Sequence, residues 1–358
     1  MMETIDIRID GRTASRIYGG EVLSEVTALL ATYPSVFLVY DWNIEPYALP
    51  LTQALHAPAK AVEAREADKT LDTVLAICDW LLESGADRQS LLLAVGGGIT
   101  TDMAGFAACI YKRGIRFAFI PTTLLAQVDA AIGGKTGVNF EGYKNMLGVI
   151  RQPEFTYICP QVLESLPYPV FLSGAAELLK AFIIDNRSGG YAQAVTLLTE
   201  LHARRSSQPL RPEDKTRLGA LIHAAAAVKA DIVGRDPEER GERRKLNLGH
   251  TFAHAIEKRS GGAIAHGEAV AIGILLAARL AEALHIPEAT GLADRLEADF
   301  RACGLPVDCP FPLGELEDAM AKDKKAEGGS IRFIVPEGIG SVREVLLTGG
   351  EAINRIRI

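Results

Sequence analysis

Paired-cysteine spacing is missing from this chain. Cys78, Cys109, Cys159, Cys303 and Cys309 form an odd, scattered set without C-x-x-C, which excludes a disulfide framework and a zinc ribbon and reads as reduced thiols. No apolar run reaches membrane-spanning length, because the best candidate, Ala269 to Leu284, is interrupted by Arg279 and Glu282. The first ten residues alternate polar and apolar positions and lack a signal-peptide core. An excess of positive charge is lacking too: the net charge is -7, which argues against a general nucleic-acid binder or a basic membrane-surface protein. Any anionic ligand must therefore meet a local basic cluster. Repeats, linkers and low-complexity segments are likewise absent, and the expectation is a soluble, cytoplasmic protein.

What is present is a long chain with an ample core. At 358 residues with 48% apolar side chains, two domains are expected. Isoleucines at every second position from Thr4 to Asp10 predict a strand, and Asp10-Gly11 a turn. Glu21 to Leu30 reads as helix, and Ser35 to Tyr40 as a buried strand. Leu71, Val74, Leu75, Cys78, Leu81 and Leu82 mark a further helix, followed by strands at Ser90 to Val95, Arg116 to Ile120 and Phe155 to Ile158. This alternation predicts an α/β domain, residues 1–160, with a parallel sheet and helices on its faces. Pro160 and Leu166-Pro167-Tyr168-Pro169 mark a boundary. Residues 161–358 read as mostly α-helical, with successive helices from Gly174 to Ala302, a hairpin at Ser330 to Val335 and Ile339 to Val345, and a terminal helix. The charged connector Gly234 to Arg244 reads as a solvent-facing loop.

Several local patterns carry chemistry, and each has a plain alternative. Gly96-Gly97-Gly98-Ile99-Thr100-Thr101-Asp102 links a strand to a helix, where backbone N–H groups can face a phosphate. The strict G-x-G-x-x-G spacing fails at Thr101, no acidic residue follows about twenty positions on, and a simple tight turn fits equally. Gly133-Gly134-Lys135-Thr136 ends like a P-loop, but that motif's first glycine would fall on Asp129, so a nucleoside-triphosphate site is rejected. Lys135, Lys144 and Asn145 lie in a polar loop rich in turn formers, suited to holding a phosphate or carboxylate or to facing solvent. His250 and His254, one helical turn apart, either converge on a metal or substrate or are two satisfied histidines of a buried helix. Glu177 and His266 are further candidate metal ligands, although Glu177 and Lys180 equally form an i,i+3 ion pair.

Taken together, Gly96-Gly97-Gly98, Asp102 to Phe106, Tyr111 to Gly114, Pro121 to Asp129, Gly133 to Thr136, Lys144-Asn145, Ala176-Glu177, Leu246 to Thr251 and His266-Gly267-Glu268 resemble the 3-dehydroquinate synthase family, in order and spacing, from Asp41 to Asp323-Lys324-Lys325. The resemblance implies a Rossmann-like NAD-binding first domain, a helical second domain and an active site in the cleft between them. It implies a divalent zinc or cobalt ion on Glu177, His250 and His266, which leaves His254 on the substrate side. It implies NAD contacts from Asp41, Glu66, Lys69, Gly96, Gly97, Gly98, Asp102, Thr122 and Thr123. Asp129, Lys135, Lys180, Lys229, Arg243, Asn247 and His254 correspond to catalytic positions, and Lys144, Asn145 and Lys325 to substrate-binding ones. Arg113 matches an arginine that reaches the neighbouring subunit's site, so a homodimer is expected.

The implied reaction converts the sugar phosphate 3-deoxy-D-arabino-heptulosonate 7-phosphate to 3-dehydroquinate and phosphate through transient oxidation by NAD, elimination, re-reduction and aldol closure. Other sugar phosphate cyclases are the nearest alternative, followed by metal-dependent polyol dehydrogenases. Thr101, Arg65, Tyr143 and Ala253 stand where the family commonly has glycine. Thr101, in the glycine loop, is expected to offer a hydroxyl near a phosphate.

Overall fold

In the strand Leu91–Gly96 every residue is buried, and successive side chains point to opposite faces. Leu92 and Ala94 join one apolar core, while Leu91, Leu93 and Val95 join another. A strand buried on both faces belongs to a parallel sheet covered by helices. In this computed structural model, which describes residues 3–204, 210–323 and 330–356, it lies inside such a sheet. The strands of the first part are β1 Glu3–Ile9, β2 Arg12–Gly19, β3 Val36–Asp41, β4 Ala59–Val62, β5 Leu91–Gly96, β6 Arg116–Pro121, β7 Lys135–Phe140, β8 Tyr143–Ile150 and β9 Phe155–Ile158. Seven of them form one sheet in the order β1-β2-β9-β6-β5-β3-β4. All its pairings are parallel except β1 with β2. The predicted strands are all present. Strand β2 was not anticipated because its inward positions are Ser15 and Ile17, too few apolar residues to show as a period.

The chain divides into two compact units, Met1–Pro167 with Leu210–Glu238 and Tyr168–Pro209 with Glu239–Ile358. The helix Pro212–Arg235, which the expected boundary at residue 160 assigned to the helical part, is thus grouped with the first unit. It packs against β1, and the site of a Cβ on Gly234 lies 2.8 Å from the Arg8 carbonyl oxygen. The polar stretch after Gly133 is not a loop. Strands β7 and β8 form an antiparallel hairpin in which Gly137 pairs with Gly148, and a Cβ on either glycine would meet the opposite backbone within 2.5 Å.

The second unit is helical, with Tyr168–Ile184, Gly190–Arg204, His250–Arg259, His266–Ala283, Leu292–Ala302 and Leu313–Asp323, a hairpin of β10 Ile331–Gly338 and β11 Ser341–Leu347, and a final helix Gly349–Ile356. The helix His266–Ala283 is apolar nearly all round and buried at Gly267 and from Ala269 through Ala278, as the central helix of a bundle must be. Among the described residues no helix is long and apolar enough to cross a membrane.

Candidate active site

Three helices of the second unit bring Glu177, His250 and His266 together, with donor atoms all within 4.8 Å of one another. Glu177 Oε1 lies 3.3 Å from His266 Nε2 and 3.7 Å from His250 Nε2. Glycines permit this approach. A Cβ on Gly267 would lie 2.0 Å from the Ser173 carbonyl oxygen, and one on Gly273 would lie 2.3 Å from the Gly249 oxygen. The Gly267 N–H donates to Ser173 Oγ at 2.9 Å, which pins His266 beside the helix that carries Glu177 one turn later. Gly249 itself holds a left-handed φ of 76° at the start of the His250 helix, a conformation glycine adopts without strain.

A carboxylate and two imidazoles with room for a further ligand are the donor set of a catalytic zinc-type site. The partners behind the imidazoles fit the same purpose. His250 Nδ1 lies 3.1 Å from the Leu248 carbonyl oxygen, which makes Nδ1 the protonated nitrogen and leaves the Nε2 lone pair facing Glu177. Burial pushes His250 down to about 3, with Lys180 adding to the effect and Glu177 opposing it, so the neutral ligand form prevails at neutral pH. His266 Nδ1 meets Glu257 Oε1 at 3.4 Å. Burial opposes the charge on His266, yet its contacts with Glu177 and Glu257 raise it to about 9, so a metal must displace that proton. Glu257 is only 5% exposed and was missed from sequence, although it lies seven residues after His250 on the same helix.

The other candidate residues of this unit lie close by. Lys180 pairs with Glu177 Oε2 at 2.5 Å. The His254 ring lies 5.5 Å from that of His250, but His254 is exposed and stands outside the convergent donor set. Arg243, in the 3-10 turn Glu242–Asn247, is 1% exposed, so this residue of the charged connector turns inward while Arg235, Glu238, Arg240 and Gly241 are exposed. Asn247 Nδ2 donates to Glu239 Oε1 at 2.6 Å. Lys325 lies outside the described residues.

In the first unit, β5 ends at Gly96 and a helix starts at Gly98, so the first-turn N–H groups sit at the carboxyl end of a parallel strand, where open α/β sheets bind ligands. The turn is tight: a Cβ on Gly96 would lie 2.6 Å from the Thr100 side chain, and one on Gly97 3.0 Å from Thr123. The Thr122 N–H donates to the Gly96 carbonyl at 2.9 Å. Thr101, whose hydroxyl is expected near a phosphate, turns it toward its own helix. It is buried, and its hydroxyl donates to the Gly98 carbonyl at 3.0 Å inside its own helix. Asp41, at the end of β3, accepts from the Asn43 N–H and side-chain amide. Arg65 turns outward to Asp68 and Glu63. Arg113 is exposed, with a φ of 67°.

Two buried lysines of this unit are paired. Lys69 Nζ donates to Asp102 Oδ2 at 2.6 Å and to Asn145 Oδ1 at 2.5 Å. Burial pushes Asp102 up, and Lys69 counters that. Lys229, on the helix Pro212–Arg235, donates to the Asp129 carbonyl oxygen at 2.7 Å and to its carboxylate. Asp129 belongs to a π-helical turn, Ala126–Ala130, braced by Gln127 Nε2 on the Pro121 and Cys159 carbonyls. Lys135 and Lys144 are exposed on the β7–β8 hairpin.

The fold and the donor set define a class: a parallel α/β unit of the dinucleotide-binding type joined in one chain to a helical unit with a candidate metal centre. The chain belongs to the 3-dehydroquinate synthase family, for residues 59–173 match the 3-dehydroquinate synthase N-terminal family and residues 174–326 the C-terminal one. It is 43% identical over 274 residues to the 3-dehydroquinate synthase of Pyrococcus abyssi, covering 76% of this chain and 77% of that one. It is 40% identical over 342 residues to that of Acidithiobacillus ferrooxidans, covering 92% and 91%. Among solved structures it is similar to a 2-epi-5-epi-valiolone synthase of Streptomyces hygroscopicus subsp. jinggangensis 5008 with NAD+ and Zn2+ bound, at a TM-score of 0.81, 27% identity and 95% coverage of each chain.

Proposed function

We propose that the chain converts 3-deoxy-D-arabino-heptulosonate 7-phosphate to 3-dehydroquinate and phosphate, as a carbon–oxygen lyase of the shikimate pathway using NAD and a divalent zinc or cobalt ion. The observation that carries this reading is the convergence of Glu177, His250 and His266 in a chain of this family. When bound, the ion acidifies substrate hydroxyls, and NAD accepts a hydride and returns it. Glu177, His250 and His266 hold the ion. Asp41, Glu66, Lys69, the Gly96 to Gly98 turn, Asp102, Thr122 and Thr123 hold the nucleotide. Lys135, Lys144, Lys180, Lys325 and Arg243 meet the substrate's phosphate and carboxylate by charge-assisted hydrogen bonds, which an acidic protein must supply locally.

Asn145 and Asn247 orient hydroxyls. Asp129 and Lys229, already paired, and His254 handle protons at the reacting centre. The exposed Arg113 serves the neighbouring subunit's site in a homodimer, and the enzyme works in the cytoplasm. The identity to dehydroquinate synthases, 40% over nearly the whole chain, against 27% to the valiolone synthase, favours this reaction over another cyclisation. The test is a pair of variants assayed for bound metal and for phosphate release: His250→Ala loses both, and His254→Ala loses activity and keeps the metal. Loss of metal from His254→Ala would overturn the division of roles.

A further inference from the structure

Strands β7 and β8 fall out of step between Val138 and Phe140, where the single residue Asn139 faces three residues of β8, Lys144, Asn145 and Met146. Where the register shifts, the ladder is interrupted and the residues on both strands can aim their polar groups elsewhere. The backbone N–H of Asn139 donates to the Lys69 carbonyl oxygen at 2.9 Å. Its side-chain Nδ2 donates to Glu66 Oε1 at 2.8 Å, and its Oδ1 accepts from the Asn145 N–H at 2.9 Å. The amide orientation is unambiguous, since a carboxylate faces one end and an N–H the other. Asn145 has a left-handed φ of 52°, a conformation asparagine adopts more readily than most residues with a Cβ, and the Asn139 oxygen holds its N–H in place. Asn145 in turn receives the Lys69 ammonium at 2.5 Å.

We infer, resting on the site proposed above, that Asn139 is a positioning residue that ties the nucleotide-side Glu66 and Lys69 to the substrate-side Asn145. Through it, the arrangement of the nucleotide-facing carboxylate and that of the substrate-facing amide are one arrangement. Removing the side chain releases the Glu66 carboxylate and the Asn145 N–H, and leaves the bond from Lys69 to the Asn145 side chain as the remaining tie. Replacing the amide by a carboxylate keeps the acceptor for Asn145 and sets a negative charge against Glu66, so the two ends separate.

The test compares wild type, Asn139→Ala and Asn139→Asp as full-length, metal-loaded protein, with NAD affinity by calorimetry, substrate KM and kcat, and deuterium exchange of the β8 amides. Asn139→Ala raises the NAD Kd and the substrate KM each about fivefold, the worth of one hydrogen bond, and speeds exchange at Asn145. Asn139→Asp raises the NAD Kd and leaves KM and Asn145 exchange near wild type. Asn139→Ala with both constants unchanged overturns the inference, even where its thermal midpoint falls, because that is a structural role alone. A wild-type chain that binds no NAD overturns the proposed site and the inference with it.

Discussion

Replacing Glu257 by Gln tests how the metal centre is held. The carboxylate is buried, and its Oε1 lies 3.4 Å from Nδ1 of His266, whose Nε2 faces Glu177. Gln keeps the size and an acceptor oxygen and removes the charge that orients the ring and strengthens it as a donor to a metal. Losing such a partner costs about 10- to 100-fold in metal affinity. At 3.4 Å the contact is longer than a charge-assisted hydrogen bond of 2.7 to 2.9 Å, so the lower end applies: about tenfold, or roughly 1.4 kcal/mol. Zinc affinity by chelator competition gives the number, and the visible spectrum of the cobalt form reports ligand geometry. A Glu257→Gln protein whose zinc Kd and cobalt spectrum both match wild type would refute the reasoning.

Other substitutions test the local packing. Thr101→Val leaves NAD affinity within about twofold and costs about 1 kcal/mol of stability, because the hydroxyl serves the Gly98 carbonyl; a large loss of NAD affinity by calorimetry would place it at the nucleotide instead. Gly273→Ala drives a methyl to 2.3 Å from the Gly249 oxygen, so denaturant unfolding shows a loss of about 1–3 kcal/mol, together with weaker metal binding; wild-type values for both would contradict the close approach. Burial holds Cys78, Cys159 and Cys303 up at about 11. At pH 8 their thiolate fraction is roughly one in a thousand, rising about tenfold per pH unit. In the native protein a disulfide reagent therefore labels them slowly, and faster as pH rises, whereas in denaturant all five cysteines react promptly.

Much of the sheet was legible because β3, β5, β6 and β9 are short apolar runs bounded by turn formers. The edge strand β4, with only Val62 buried, and the hairpin β7–β8, whose glycines face each other, lack the apolar pattern that reveals a strand. The helix Pro212–Arg235 reads as helix, but its partner β1 lies two hundred residues away, and periodicity does not name partners. The same limit applies to the site. His250 and His254 stand out by spacing, whereas the convergent set joins His250 to residues on two other helices; residue type made Glu177 and His266 candidates, and the resemblance singled out this set. Glu257 and Asn139 were invisible for a related reason: one acts across a helix pair, and the other through a bulge that only strand register defines.

The most direct test supplies the heptulosonate phosphate with NAD at a small fraction of the substrate concentration and follows phosphate, dehydroquinate and NADH together, before and after chelation. The account predicts one phosphate and one dehydroquinate per substrate consumed, no accumulation of NADH, loss of turnover on complete metal removal, and recovery with zinc or cobalt. Steady NADH accumulation without phosphate release, or turnover that survives complete metal removal, would contradict it.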